Sequence, residues 1–178
     1  MICIRKRCLI IYSFAFLLAA CMNTENKNEE RHTDRQMVQE ALAASNIELL
    51  SLENQEIEDF IQRHGLQAKK TGSGLRYSII KEGDGPKASK DMTAVINYTI
   101  RLLTGDVIYN SDKDDPKEFR IGRGGVESGL EEGVLLLNKG DKAIFIMPAH
   151  LAHGVPGDGV KIPKRATIVY DIELIDLK

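Results

Sequence analysis

One loop near the end of the chain carries the side chains with the clearest capacity for chemistry. His150 and His153 lie close together in it, and Asp158 follows within a few positions. Two imidazoles and a carboxylate can bind a metal ion, but the spacing matches no zinc motif, so we expect no metal and no cofactor. A histidine with an aspartate also fits a hydrolase, for which Ser128 would have to be the nucleophile.

Ser128 has a simpler explanation in the stretch ESGLEEGVLLLNKGDK, residues 127–142, which predicts one short amphipathic helix. Ser128 can cap its first turn, and Glu131 can complete a capping box. Leu130 and Leu137 share one face. A helix of about three turns is marginal in water, so this leucine face must be buried against something larger.

Composition excludes several other classes of protein. The chain has 178 residues, 43% of them hydrophobic and 28% charged, which suits one small globular domain with appendages. Its formal net charge of −2 provides no basic surface for nucleic acid. The glycine-rich GRGG at 122–125 does not stand between a strand and a helix as a phosphate loop does, and it predicts a turn before the helix.

Residues 1–20 predict an export signal peptide. A basic run at 5–7 precedes the apolar stretch LIIYSFAFLLAA, which is too short to span a bilayer comfortably. The ending Leu-Ala-Ala-Cys resembles the lipobox of bacterial lipoproteins, which implies cleavage before Cys21 and acylation of its thiol. An ordinary signal peptide with a chance cysteine is the alternative.

Cysteine usage supports the lipoprotein interpretation. Cys3 and Cys8, the other cysteines of the chain, lie in the part that cleavage would remove. The mature protein would then hold no free thiol, and therefore no disulfide, thiolate nucleophile or cysteine metal site.

The residues after the signal predict a tether and then helices. Residues 21–35 are polar and charged, as in a disordered tether. Residues 36–66 are predicted helical, weakly as far as residue 50 and then clearly from Ser51, a plausible N-cap, to Gly65, a plausible C-cap.

The second of these helices places Ile57, Phe60 and Ile61 on one face. We expect that face to pack on the domain that follows. A dimerisation helix is the alternative.

Beyond residue 72 the chain changes to short strands separated by glycine, which predicts an α+β domain. Antiparallel strands are predicted at 75–81, 93–103, 107–111, 117–122, 142–147 and 166–175. The alternation of apolar residues directs Tyr98 and Tyr170 inward. The short helix is predicted to lie across the concave face of the sheet.

Three segments, VINYTIRLLTGDVIYNS, EFRIGRGGVESGLEEGVLLLNKGDKAIFIMPAHLAHG and IPKRATIVYDIELIDL, closely resemble FKBP-type peptidyl-prolyl cis-trans isomerases. The resemblance covers residues 72–178. It implies the FKBP fold, a half-open antiparallel sheet wrapped around one short helix with a proline pocket between them. A narrower resemblance is to gliding-motility-associated isomerase-like lipoproteins.

The activity that the resemblance implies needs no nucleophile and no cofactor. Rotation about a peptide bond has a barrier of about 18–20 kcal/mol. The twisted amide is less dipolar than the planar one, so an apolar cavity favours it relative to water. The expected partners are proline-containing polypeptides.

The resemblance also implies which residues form the pocket. The matching positions are Tyr98, Phe119, Val126, Leu130, Ile162 and Tyr170. Leu130 stands where many members have tryptophan, and Tyr170 replaces a phenylalanine; both are expected to keep the cavity apolar. The alternative for each residue is plain core packing.

Five positions depart from the family pattern. Ile108 and Lys117 replace aromatic wall residues, and Tyr109 replaces an aspartate that usually bonds a substrate carbonyl. Glu127 replaces an aliphatic residue whose backbone amide binds substrate, which puts a carboxylate at the pocket rim. His153 replaces a tyrosine whose hydroxyl donates to substrate, and histidine can donate too.

Two function classes follow. The first is an isomerase that assists the folding of exported envelope proteins, with Tyr98, Tyr109, Phe119, Val126, Glu127, Leu130, His153, Ile162 and Tyr170 as its site. The second is a catalytically weak binding or chaperone component of an envelope complex. In both, the expected location is the outer membrane, facing the periplasm, with the lipid on Cys21 as the anchor.

Overall fold

The computed structural model of the protein describes residues 35–178. The predicted signal peptide, Cys21 and nearly all of the tether therefore lie outside the described residues. The chain forms two compact units, which divide between Leu50 and Ser51. Of the first unit the structure describes residues 35–50, which are helical and exposed. Within 35–178, no helix combines the length and the apolar character that crossing a bilayer requires.

Helix α1 is assigned to residues 35–63 without a break. The predicted start of a separate helix at Ser51 is wrong, because no glycine or proline interrupts the helix-forming residues on either side. Its predicted C-terminal glycine is confirmed. Gly65 has a φ of 61°, the Gly65 N–H donates to Gln62 O at 3.2 Å and the Leu66 N–H to Ile61 O at 3.1 Å. This is the Schellman pattern that ends many helices.

The second unit is built on one antiparallel sheet. Its strands are β1 (Lys69–Lys70), β2 (Arg76–Lys81), β3 (Thr93–Leu102), β4 (Val107–Asn110), β5 (Lys117–Arg120), β6 (Lys142–Met147) and β7 (Ile168–Leu177). The order is β1-β2-β6-β7-β3, and both β4 and β5 pair with β3. They share its edge, β5 along the first half and β4 along the second. The α+β fold class is confirmed.

Strand register gives the sheet two distinct faces. Tyr98 pairs with Ile172, and Tyr170 pairs with Ile100 on one side and Phe145 on the other. Because directly paired residues project to the same side, these side chains share the concave face. All five are buried in one cluster, so the predicted alternation of β3 and β7 is confirmed.

Helix α3, Ser128–Val134, lies on that concave face, as predicted. Its approach depends on two glycines. A Cβ on Gly133 would overlap the ring of Phe145, and one on Gly129 would lie 2.9 Å from the sulfur of Met147. Any side chain at these positions would push the helix away from the sheet.

The predicted capping box of α3 is wrong. The N-cap position is Glu127, without a side-chain cap. The Ser128 hydroxyl donates instead to Leu151 O at 3.3 Å, and the Glu131 carboxylate accepts from the Gly124 N–H at 2.9 Å. Neither side chain therefore makes the hydrogen bond that a capping box requires. The GRGG segment does form the predicted turn before the helix, with Gly124 at a φ of 74°.

The convex face carries the part of α1 that belongs to the second unit. Ile57 and Phe60 are buried there against Ile146 and Val169. This confirms the predicted packing of the apolar helix face. Three elements were not predicted: the two-residue strand β1, the four-residue helix α2 (Ser111–Asp114) after β4 and a 3-10 helix (Ala149–Leu151) after β6.

Candidate active site

Two tyrosine rings define the centre of the candidate site on the concave face. Tyr98 on β3 and Tyr170 on β7 have ring centroids 6.0 Å apart and planes inclined by 45°. Burial raises the pKa of both hydroxyls, and the Glu127 charge adds to the effect at each. Both therefore remain neutral hydrogen-bond donors at ordinary pH.

Apolar side chains from other elements surround these rings. Leu130 from α3, Phe119 from β5 and Ile162 from the loop before β7 are buried in the same cluster as the tyrosines. Val126 is half-buried against it. The structure thus brings together all six residues that the family resemblance placed in the pocket.

The Glu127 side chain lies among these residues. Only 8% of it is exposed to solvent. The carboxylate is therefore buried, whereas the sequence analysis placed it at the rim of the pocket. Its Oε1 accepts a 3.0 Å hydrogen bond from the Tyr170 hydroxyl and lies 3.2 Å from His153 Nε2. Charged and polar groups therefore line one wall of the site.

Lys117 completes this polar wall. It pairs with Ile96 across β3 and β5, which directs its side chain to the concave face. Its ammonium donates to the Tyr170 hydroxyl at 3.1 Å. It also lies 5.2 Å from the centroid of the Tyr98 ring and 5.7 Å from that of Tyr170, within the range of cation–π attraction.

Tyr109 packs against the cluster that holds the two tyrosines and is hydrogen-bonded to a loop. Its hydroxyl donates to Asp158 Oδ2 at 2.5 Å, a bond that raises the pKa of Tyr109 to about 12. The same bond holds the pKa of Asp158 well below its usual range. Asp158 Oδ1 accepts from the backbone of the same loop, including the Ile162 N–H at 2.7 Å. Tyr109 therefore fixes the loop that carries Ile162.

The residues first considered for metal binding have separate partners. His150 Nε2 is 2.9 Å from Ser73 O, His153 faces Glu127 and Asp158 bonds Tyr109. Within residues 35–178, no three histidine, cysteine, aspartate or glutamate side chains are grouped so as to hold a metal ion.

Sequence reasoning missed the joint arrangement of Lys117, Glu127 and Tyr170. Each was noted singly, Lys117 and Glu127 as departures from the family pattern. One signal was available, because Lys117 and Phe119 have the same parity on one strand and must face the same way. The contact of that lysine with Glu127 depends on how β5 packs against the start of α3. No local sequence pattern predicts that packing.

Comparisons with known proteins agree with this geometry. The sequence model of the FKBP-type peptidyl-prolyl cis-trans isomerase family matches residues 85–175. A probable FKBP-type peptidyl-prolyl cis-trans isomerase FkpA of Neisseria meningitidis is 38% identical over 110 residues, 61% of this chain and 40% of the relative. FkpA of Escherichia coli is 35% identical over 125 residues, 68% of this chain and 43% of the relative. The chain thus spans less than half the length of these curated relatives.

Solved structures show the same fold. The crystal structure of FkpA from Escherichia coli matches with a TM-score of 0.63 and 28% identity, over 85% of this chain and 71% of that one. The crystal structure of AtFKBP13 matches with a TM-score of 0.60 and 31% identity, over 63% of this chain and 99% of that one. With a family model that extends over half of its residues, the chain belongs to the FKBP-type peptidyl-prolyl cis-trans isomerase family.

Proposed function

We propose that this protein is a peptidyl-prolyl cis-trans isomerase that acts on exported polypeptides. The observation that carries the proposal is the pair of inward tyrosine rings, 6.0 Å apart, in one buried cluster with Leu130 of α3. This arrangement occurs within the segment that matches the family.

The proposed site acts on a bound prolyl bond without covalent chemistry. The prolyl ring packs against Tyr98, Leu130 and Tyr170, where water is excluded and the less dipolar twisted amide is favoured. The backbone N–H of Glu127, at the start of α3, is the donor that the family resemblance assigns to the substrate carbonyl. Uncatalysed exchange takes tens of seconds or more, so even modest acceleration assists folding.

A direct assay tests this proposal. Exchange spectroscopy by NMR on short Xaa-Pro peptides should show faster cis-trans exchange when the purified protein is added. Tyr170→Ala should remove most of the acceleration, because it deletes a fully buried wall of the site. If no peptide exchanges faster, the isomerase proposal fails.

A second candidate function is client binding without turnover, as in a component of an envelope complex. The polar wall favours it, because Glu127 and Lys117 occupy positions where an apolar surface would best accept a twisted amide. Binding of the same peptides at unchanged exchange rates would support this second function.

Anchoring by lipid at Cys21 is the proposed route to the envelope. The lipobox-like ending before Cys21 supports it, and stable attachment needs more than one acyl chain. Cys21→Ser should move the protein from the membrane fraction to the soluble fraction. Unchanged fractionation would exclude lipidation as the anchor.

A further inference from the structure

The wall of the candidate site contains a buried carboxylate that is only half satisfied. Glu127 Oε1 accepts from the Tyr170 hydroxyl at 3.0 Å. Its Oε2 has no hydrogen-bond partner among the residues that the structure describes, although the side chain is only 8% exposed. A buried charged oxygen without a donor costs free energy. An incoming cation would relieve that cost.

A cation of the protein already lies beside this oxygen. Lys117 Nζ is 3.7 Å from Glu127 Oε2, too far for a hydrogen bond, and faces the rings of both tyrosines. Lys117 is 28% exposed, and its long side chain stands at an edge strand. Its ammonium can therefore leave without disturbing the core. It marks a position where the site accepts a cation.

A second negative charge, besides that of Glu127, acts on the Tyr98 hydroxyl. Asp114 on α2, together with Glu127, raises the pKa of the Tyr98 hydroxyl after burial, the largest cause. Asp114 thus acts on Tyr98, and Glu127 acts on both tyrosines. The Lys117 ammonium lies over both rings. A substrate with an acidic residue beside proline would bring a like charge toward a buried carboxylate, which is disfavoured.

We propose that the site selects prolyl bonds flanked by lysine or arginine, whose cation displaces the Lys117 ammonium from Glu127 and the two tyrosine rings. Glu127 is then a specificity-determining residue. The inference rests on the proposed isomerase function, but selectivity and turnover can be measured separately. A neutral flanking residue leaves Glu127 Oε2 without a donor, whereas a cation supplies both a charge-assisted hydrogen bond and cation–π contact.

The test compares peptides that differ in charge at one position. The full chain, purified in mild detergent, is assayed by NMR exchange on peptides with lysine, arginine, norleucine or glutamate directly before proline, and on a second series with these residues directly after it. Norleucine is the matched control, because it keeps the four-carbon apolar stem of lysine without the ammonium group. In at least one series we expect kcat/KM for lysine to exceed that for norleucine roughly fivefold.

Three variants identify the residues responsible. Glu127→Gln keeps the size of the side chain and should bring the lysine-to-norleucine ratio close to one. Lys117→Met removes the competing ammonium and should raise the ratio to roughly tenfold or more. Glu118→Gln changes an exposed glutamate paired with Lys178 and should leave the ratio as in the unchanged protein. Ratios within each variant cancel any difference in folded fraction.

Peptide affinity, measured by chemical-shift titration, separates the two proposals. Lysine-selective binding without faster exchange would refute the isomerase function and support the selectivity. Faster exchange with equal kcat/KM and affinity for lysine and norleucine in both series would refute the selectivity alone. A lysine preference that survives Glu127→Gln would also overturn it, because Glu127 would not be its source.

Discussion

The two faces of the sheet use the same strands for different purposes. On the concave face, Phe145 and Tyr170 join a cluster that includes the candidate site. On the convex face, Ile146 and Val169, their neighbours in sequence, pack against Ile57 and Phe60 of α1. The concave face combines a large apolar core with a few buried polar groups. The convex face holds a small apolar patch bordered by polar contacts.

Arg76 shows how the convex face differs. It pairs with Ile146 across β2 and β6 and is only 2% exposed. Its guanidinium donates to Gly74 O, to Asn54 and to Glu58 of α1. A buried guanidinium with several fixed acceptors sets the orientation of the helix, which non-directional apolar contacts alone do not. The concave face holds the candidate site, whereas the convex face positions the helix.

The largest expected effect is on the concave face. Leu130→Ala removes a fully buried side chain from the cluster that holds both tyrosines, so we expect a loss of about 3 kcal/mol in the free energy of unfolding. Peptide exchange should also lose most of its acceleration. Urea unfolding followed by circular dichroism measures the first effect. Retained acceleration in the folded fraction would contradict a catalytic role for this face.

The convex face should respond in stability alone. Ile57→Ala truncates a fully buried residue of α1 and should cost about 2 kcal/mol. Exchange per folded molecule should be unchanged, because Ile57 lies behind the sheet. Leu52→Ala, on the same helix and 56% exposed, is the matched control and should stay within about 0.5 kcal/mol of the unchanged protein. Impaired catalysis in Ile57→Ala would show that the faces are coupled.

A smaller effect is expected where α1 meets the segment after β6. Glu53 Oε1 accepts from the Ala149 N–H at 2.6 Å and from the Thr167 hydroxyl at 2.8 Å. Glu53→Ala leaves two donors without this partner and should cost about 1–2 kcal/mol. Exposed Glu56→Ala is the control. Ala149 and His153 lie in the same segment after β6. An accompanying change in KM would therefore show that this segment links the two faces.

The smallest effect concerns the bond between Tyr109 and Asp158. The folded pKa of Asp158 is depressed, with this bond as the main cause. Its contribution to stability is therefore complete above the unfolded value of about 4 and is lost as pH falls through the lower folded value. The difference in stability between the unchanged protein and Tyr109→Phe should be constant from pH 5 to 8 and shrink in stronger acid.

Urea unfolding at a series of pH values measures this difference. Tyr77→Phe, a half-buried tyrosine of β2, is the control and should show no such acid dependence. At the alkaline end, the raised pKa of Tyr109, about 12, keeps the hydroxyl a donor well above neutral pH. A difference between the two proteins that grows as pH falls would contradict the assigned bond.

Local pattern determined much of this protein. Alternation of apolar residues predicted the inward faces of β3 and β7, and with them the positions of Tyr98 and Tyr170. Gly65 predicted the end of α1. These predictions succeeded because both features are local. The alternation of residues along a strand determines which face is buried, and a glycine favours the left-handed conformation after a helix.

Only the tertiary structure decided the polar wall and the caps. Glu127 was assigned to a rim, but it is buried against Tyr170, a residue 43 positions away in sequence. The Ser128 hydroxyl donates to Leu151 O and does not cap the helix, and the Tyr109 hydroxyl donates to Asp158, which is distant in sequence. Hydrogen-bonding groups accept any partner of suitable geometry, so which one they meet depends on how distant elements pack, and sequence spacing does not encode it.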